Sequence, residues 1–283
     1  MAPHSPSSSA RQARRDLGRR LEDVRKEAGL SARELAARAG WHESKCSRLQ
    51  SGRTLPSEAD IRAWTLHCGV PDQAEDLIAA VRGVEGMYVE WRRQTRSGLR
   101  HVQQAGVPLY ERTRHFRIYE PGVVPGLLQT PAYAHALMGA IVAFQQIPDD
   151  TEAAVAARMA RQRVLHHGTR TFAMLLEESA VRARVADDAV MAGQLGHLLQ
   201  AASLPRVSLG IIPASATRTM WPVEGFWIFD EERVLVELVT AEVTVTQPRE
   251  IGLYMRTFAS LAELAVYGSS ARSLITTAID DLG

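Results

Sequence analysis

The stretch over residues 30–57, which reads LSARELAARAGWHESKCSRLQSGRTLPS, constrains the fold more than any other part of the sequence. Ser31 stands at its start and Glu34 follows three residues later, which is the spacing of a capping box at a helix start. Apolar residues then recur at helical spacing until Gly40, where glycine permits a tight turn. The stretch therefore predicts two short helices joined by a glycine turn, the second over residues 43–50.

The second of these helices has two different faces. Cys46 and Leu49 lie three residues apart on its apolar side, which Trp41 in the turn can join. Its other side is polar and basic, with Glu43, Ser44, Lys45, Ser47 and Arg48. Gly52 ends the helix, and Pro56 with Ser57 begins the next one. Two short helices with a polar outer face on the second are typical of a helix-turn-helix.

The stretch resembles the XRE (Cro/C1 repressor) family, whose pattern is close to LSQEELAxRAGVSxSxISRIExGRxxPS. The matching positions are Leu30, Ser31, Glu34, Leu35, Ala36, Arg38, Ala39, Gly40, Ser44, Ser47, Arg48, Gly52, Arg53, Pro56 and Ser57. The departures are Ala32, Arg33, Trp41, His42, Cys46, Leu49 and Gln50. Histidine is an unusual N-cap residue, so His42 predicts a weak cap on the second helix. The alternative is an αα-hairpin used only for packing.

The resemblance implies that residues around the second helix contact double-stranded DNA. The predicted contact residues are Ser31, Arg33, His42, Glu43, Ser44, Lys45, Ser47, Arg48, Arg53 and Thr54. Arginine on such a helix can bind guanine O6 and N7. Residues 1–70 hold 13 basic and 8 acidic side chains, whereas the remainder holds 20 and 24. This asymmetry favours nucleic-acid binding by the first part of the chain.

The elements around this stretch define the predicted domain limits. Helices are predicted over residues 11–28, 57–68 and 72–84, so residues 11–84 form an all-α helix-turn-helix domain of five helices. Residues 1–10 are rich in serine and proline and are predicted to be a disordered tail. Residues 85–107 are interpreted as a helical connector, with contact to nucleic acid or a partner as the alternative. The second domain is predicted over residues 108–283.

The second domain mixes strands with helices and shows no internal repeat, which predicts an α+β fold. Thr130 and Pro131 are typical of a helix start. Further helices are predicted over residues 150–166, 187–202, 248–266 and 270–282. Strands are predicted at 116–119 and over 172–177, 207–212, 225–230, 234–239 and 243–246. Glu177 and Glu178 are adjacent at a strand end, so they point to opposite faces and cannot act as a paired acid and base.

This second domain is similar to the DUF5753 domain found in actinobacterial XRE regulators. The resemblance is carried by Glu120, by residues 125–130 (PGLLQT), by Tyr133 and Ala134, and by Arg158, Arg161 and Gln162. Two Pro-Gly turns fix this loop, and the adjacent Leu127 and Leu128 are hard to bury together, which predicts an exposed recognition surface. The predicted partner- or ligand-binding residues are Glu120, Leu127, Leu128, Gln129, Tyr133 and Trp221. The alternative is that PGLLQT is a folding turn and a helix cap.

Several classes of protein are disfavoured by the sequence. It has no run of 18 apolar residues, so we expect no membrane partner. Cys46 and Cys68 make no disulfide framework, which suits a reducing cytoplasm, and we expect the protein there on the nucleoid. Motifs such as H-E-x-x-H, C-x-x-C, G-x-G-x-x-G and G-x-S-x-G do not occur. We therefore expect no metal, no cofactor and no enzymatic activity.

These observations predict a sequence-specific DNA-binding transcriptional regulator that forms a homodimer. Its C-terminal domain is expected to sense a small-molecule effector or to bind a small partner protein. The resemblance implies an acidic partner of the DUF397 type and roles in actinobacterial development or antibiotic regulation. Two alternatives stay open. One is an antitoxin-like interaction module that autoregulates its operon, and the other is an enzyme anchored to DNA.

Overall fold

The computed structural model of the protein describes residues 6–283, and the chain divides between residues 89 and 90 into two units. The first unit consists of helices joined by turns from Pro6 to Met87. Its helices are α1 (Pro6–Glu27), α2 (Ala32–Arg38), α3 (Glu43–Gln50), α4 (Glu58–His67) and α5 (Ala74–Met87), with a 3-10 turn over Pro71–Gln73 before α5. The predicted five-helix domain is thereby confirmed.

The core of the first unit is built from the apolar positions that recur at helical spacing. Leu21, Leu35, Leu49, Ile61 and Trp64 are at most 1% exposed. The Trp64 indole also donates a hydrogen bond of 3.1 Å to the carbonyl of Leu21, so the largest buried side chain satisfies its polar atom. This core holds α1, α3 and α4 together and positions the helix-turn-helix.

The start of α1 differs from the predicted disordered tail over residues 1–10. Residues 1–5 lie outside the described part of the chain, but the backbone is helical from Pro6. Proline suits the first helical position because its missing N–H needs no partner there and its φ angle is already helical. The prediction placed the helix start at residue 11, five residues later than the structure does.

The second unit has an α+β fold, as predicted, and its sheet combines parallel with antiparallel strands. Its strands are β2 (His115–Glu120), β3 (Thr171–Glu177), β4 (Val207–Ile212), β5 (Phe226–Phe229), β6 (Arg233–Glu237) and β7 (Ala241–Val245), while β1 (Tyr88–Glu90) spans the division. Its helices are α6 (Trp91–Gln94), α7 (Arg100–Ala105), α8 (Val107–Arg112), α9 (Pro131–Gln145), α10 (Thr151–Arg161), α11 (Glu178–Arg182), α12 (Asp188–Ala201), α13 (Pro248–Leu264) and α14 (Gly268–Asp280). Within the described residues, no helix is both long and apolar enough to cross a membrane.

The sheet places β7, β6, β5, β2, β3 and β4 side by side in that order. β2, β3 and β4 are parallel, whereas β2, β5, β6 and β7 pair antiparallel. Phe116 of β2 stacks on Phe172 at 4.7 Å and belongs to the large core, which also includes residues of α8, α12 and α14. On the opposite face, Tyr119 contacts Phe226, which in turn contacts Tyr254 of α13. The sheet is therefore covered on both faces.

The predicted connector over residues 85–107 does not stand apart from the second unit. The Trp91 indole donates a hydrogen bond of 2.8 Å to the carbonyl of Leu238. The Asp150 carboxylate accepts hydrogen bonds from the backbone N–H groups of Leu99 and Arg100, at 2.6 and 2.9 Å. Because these partners lie some 50 to 147 residues away in the sequence, the helical pattern of this segment alone did not reveal them.

Candidate functional site

Hydrogen bonds at the helix starts fix the helix-turn-helix. Ser31 Oγ accepts from the backbone N–H of Glu34 at 3.2 Å, and a Glu34 carboxylate oxygen accepts from the N–H of Ser31 at 2.7 Å. These bonds hold the pKa of the Glu34 carboxyl below its usual range. The predicted capping box is confirmed, and it sets where α2 begins.

A row of polar side chains runs along the outer side of α3 from its cap. His42 Nδ1 accepts a hydrogen bond of 3.2 Å from the N–H of Ser44 and lies 2.8 Å from Ser44 Oγ. Arg48 Nη1 donates to the same Ser44 Oγ at 3.1 Å. His42 is thus the N-cap of α3 in the structure, and its imidazole helps to orient the Ser44 and Arg48 side chains.

The predicted DNA-contact residues are nearly all exposed. These exposed residues are Ser31, Arg33, His42, Glu43, Ser44, Ser47, Arg48, Arg53 and Thr54. Lys45 is the exception, because it is half-buried and its Nζ pairs with Asp60 Oδ1 at 2.5 Å. The ammonium also lies 4.5 Å from the centroid of the Trp41 ring. Lys45 therefore links α3 to α4 and to the turn. The prediction had placed its side chain on the outer side of α3, together with Ser44 and Arg48.

Two features that position α3 were missed by sequence reasoning. Arg25 is only 8% exposed, and its guanidinium donates to the carbonyl of Leu30, which fixes the turn between α1 and α2. Gly18 lies where the backbone of α1 meets the end of α3, since a Cβ on Gly18 would fall 2.3 Å from the carbonyl oxygen of Gln50. A glycine inside an amphipathic helix was the available signal for this close approach.

The PGLLQT stretch lies inside the second unit, which corrects the predicted exposed recognition surface. Leu127, Leu128 and Tyr133 have no exposed area, and Gln129 is 2% exposed. Residues 126–128 form a 3-10 turn, whose successive side chains point about 120° apart. Neighbouring leucines can therefore be buried against different elements, even though they are adjacent in the sequence.

Hydrogen bonds around Gln129 explain why this stretch needs an amide. Its Nε2 donates to the carbonyl of Val124 at 2.7 Å, and its Oε1 accepts from Arg158 Nη1 at 2.5 Å. Gln162 Nε2 donates to the backbone carbonyls of Gly126 and Gln129, at 3.0 and 2.7 Å. Thr130 Oγ1 accepts from the N–H of Tyr133 and so caps α9, as the alternative interpretation of PGLLQT predicted.

The other two predicted binding residues, Glu120 and Trp221, lie in different surroundings. The Glu120 carboxylate is half-buried at the end of β2 and accepts a hydrogen bond of 2.7 Å from the Trp227 indole. Burial, and next the negative charge of Glu237, raise the pKa of Glu120 to about 8. Trp221 is 56% exposed. The six predicted residues therefore divide into a buried group, a half-buried carboxyl and an exposed indole.

Two family matches agree with this geometry. Residues 107–277, more than half of the chain, match the family described as a domain of unknown function, DUF5753. The chain belongs to the DUF5753 family. Residues 16–78 match a helix-turn-helix domain, which supports a role in DNA-binding regulation. A search of curated proteins gives no match. Both resemblances seen in the sequence are thereby confirmed.

The DUF5753 domain also contains a partly buried ion pair at the end of β3. Glu177 accepts two hydrogen bonds from the Arg218 guanidinium, at 2.8 and 2.5 Å, and one of 2.9 Å from the Tyr119 hydroxyl. Glu178 is occupied elsewhere, because its carboxylate accepts from the N–H of Ala214 and from Arg182. These bonds anchor the loop that carries Trp221. Both carboxylates are thus bound to separate partners, in line with the expectation that they do not pair with each other.

Proposed function

We propose that this protein is a sequence-specific DNA-binding transcriptional regulator that reads bases with the outer side of α3. The observation that carries the proposal is the contrast between the two sides of that helix. Cys46 and Leu49 are buried in the core, whereas Glu43, Ser47 and Arg48 are exposed. In the described part of the chain, the Arg48 side chain bonds only to Ser44 of its own helix. Its guanidinium is therefore available to an external partner.

The chemistry of this surface suits DNA. A guanidinium presents a planar set of donors that fits guanine O6 and N7 in the major groove. Arg33 precedes α3 in the sequence and Arg53 follows it, and both are exposed. Among the described residues, neither side chain forms a hydrogen bond or a salt bridge. We assign these two arginines to phosphate contacts, which contribute affinity and position without reading the sequence.

Replacing Arg48 by alanine is expected to weaken specific binding by about 1–3 kcal/mol and to relax the preference at one base pair. The reason is that a lost base contact affects only the base that it reads. Binding should be measured against every single-base variant of the operator. Arg62→Ala is a matched control, because Arg62 lies on α4 and pairs with Glu75 at 2.8 Å. An equal loss against all operator variants would instead make Arg48 a phosphate contact.

The proposal includes a homodimer, because helix-turn-helix proteins commonly read two half-sites as dimers. We expect residues 90–283 to supply the dimer contacts, so a fragment of residues 1–89 should fold but bind operator DNA more weakly than the intact chain. Sedimentation and titration of both proteins would measure assembly and affinity. If the fragment binds as tightly and as cooperatively as the intact chain, dimerisation through residues 90–283 is contradicted.

We extend the proposal to the DUF5753 domain, as a binding module that receives a regulatory signal from a small-molecule effector or a small partner protein. Because Leu127, Leu128 and Gln129 of PGLLQT are buried, we do not place the binding site on that loop. Glu120 and Arg158 support a binding role for this domain. Both are half-buried and have shifted pKa values, and such groups are common at functional sites.

A further inference from the structure

Two arginines of α10 converge on one glycine of the PGLLQT stretch. Arg158 and Arg161 lie three residues apart, on one side of the helix. A Cβ on Gly126 would be 3.5 Å from Arg158 Nε and 3.6 Å from Arg161 Nη2. Both guanidiniums therefore border the same small region, into which residue 126 projects no side chain.

Neither guanidinium is in direct contact with a carboxylate in the described part of the chain. Arg158 donates to the amide oxygens of Gln103 and Gln129, at 3.1 and 2.5 Å. Arg161 lies 4.5 Å from the centroid of the Tyr110 ring and donates to the carbonyl of Gln103 at 3.4 Å. Across the described residues, neither arginine forms a salt bridge, and the buried Nε of Arg161 has no hydrogen-bond partner.

This arrangement is costly without an anion. Two like charges in a partly buried setting repel each other and lose hydration, and neutral acceptors compensate only part of that loss. Burial, and next the charge of Arg161, lower the pKa of Arg158 to about 10. An anion between the two guanidiniums would offset their repulsion and would supply charged hydrogen-bond acceptors in place of the lost water.

The nearby carboxyl groups Glu237 and Glu120 favour the charged form of Arg158, but they offset only part of the cost of burying it beside Arg161. Burial is the main cause that raises the pKa of Glu120 to about 8 and that of Glu242 to about 7, and the charge of Glu237 adds to both shifts. Near neutral pH these two carboxyls therefore carry less negative charge than ordinary glutamates do. Glu237 acts on Arg158 only through space, because it is exposed and forms no salt bridge with either arginine among the described residues.

We propose that Arg158 and Arg161 form a binding site for a small molecule that carries a carboxylate or phosphate group. Both groups present oxygens to the paired donors of guanidinium, and the amides of Gln103 and Gln129 hold Arg158 in place to receive them. A small molecule fits better than a folded partner because both arginines are half-buried and Tyr110 beneath Arg161 is 7% exposed. The proposal rests on the proposed binding role of the DUF5753 domain and names its ligand class.

The test uses the intact chain with inorganic phosphate and, separately, succinate, each titrated calorimetrically at constant ionic strength up to about 10 mM. At least one probe is expected to bind and to raise the melting temperature. Arg161→Gln should weaken that binding at least tenfold. Gly126→Ala should do the same while removing no hydrogen bond, because its methyl group would occupy the region between the guanidiniums. Arg163→Gln, an exposed position two residues beyond Arg161, is the matched control and should bind like the unmodified chain.

The two arms of the test separate a phosphate ligand from a carboxylate ligand. Failure of both probes to bind would overturn the proposal, and so would equal binding by Arg161→Gln and Arg163→Gln. Equal binding by Gly126→Ala and the unmodified chain would also contradict a site beside Gly126. The titration is done without DNA, so its failure would leave base reading by Arg48 untouched, and a failure of Arg48 would leave the anion site untouched.

Discussion

Gly18→Ala is expected to remove about 3 kcal/mol of stability from the helix-turn-helix unit, although it adds a single methyl group. The added Cβ would lie 2.3 Å from the carbonyl oxygen of Gln50, 2.9 Å from its carbonyl carbon and 3.0 Å from the backbone nitrogen of Gly52. These are backbone atoms, so the clash cannot be relieved by turning a side chain. The helices α1 and α3 would have to separate.

The same contact links stability to DNA binding. Gly52 follows α3 with a φ angle of 67°, and a Cβ there would lie 2.8 Å from the backbone of Arg14 in α1. The end of α3 can thus approach α1 closely because both elements have a glycine at the contact, Gly18 in α1 and Gly52 just after α3. Because α3 carries Ser44 and Arg48, its displacement should also weaken operator binding.

Hydrogen exchange in the intact chain would measure this effect, since it reports local opening without isolating the unit. Amides of α1 and α3 are expected to exchange on the order of a hundredfold faster in Gly18→Ala. Gly83→Ala is the matched control, because Gly83 is an exposed residue of α5 and a Cβ there meets nothing within 4 Å. The Gly83→Ala control should stabilise α5 by about 0.5–1 kcal/mol, because alanine favours a helix more than glycine does. If the amides of α1 and α3 exchange at the same rate in Gly18→Ala as in the unmodified chain, the close packing of α1 against α3 is contradicted.

Much of the fold was predictable because its signals are local. Ser31 with Glu34, and Thr130 with Pro131, are cap patterns within four residues, and both helices begin where these patterns predict. The strands over residues 172–177 and 207–212 were found from apolar runs of strand length. The exposed side of α3 also followed from the spacing of Cys46 and Leu49, because burial of one helical face leaves the opposite face in solvent.

The remainder depends on partners that are distant in sequence. Lys45 is half-buried and pairs with Asp60, and nothing within α3 indicates that pairing. The PGLLQT stretch was predicted to be exposed because its enclosing side chains come from elsewhere. Arg158 and Gln162 of the α10 region bind it on one side, and Gln194 of α12 donates to the carbonyl of Leu128 at 2.7 Å on another. The sequence of Leu127, Leu128 and Gln129 is equally compatible with an exposed interface and with a buried core. Only the distant partners decide between the two.

The Gln129→Ala variant is expected to lower the melting temperature of the DUF5753 domain by roughly 5–10 °C, which corresponds to about 3 kcal/mol for a domain of this size. Alanine would leave the buried carbonyl of Val124 without its donor and Arg158 without its 2.5 Å acceptor. An unsatisfied buried group costs about 1–3 kcal/mol, and a charged one costs more. Thermal unfolding of the intact chain, with hydrogen exchange over residues 115–134, would locate the loss.

Gln200→Ala is the matched control, because Gln200 is exposed on α12 and its side chain makes no hydrogen bond in the described structure. That variant should stay within about 0.5 kcal/mol of the unmodified chain. A direct contact role for Gln129 would give the opposite pattern, with the melting temperature unchanged and effector or partner binding lost. Because Gln129 is 2% exposed, such a result would require the PGLLQT stretch to open before it binds. Hydrogen exchange of residues 124–130 would then be fast in the unmodified chain, whereas the buried bonds around Gln129 predict that it is slow.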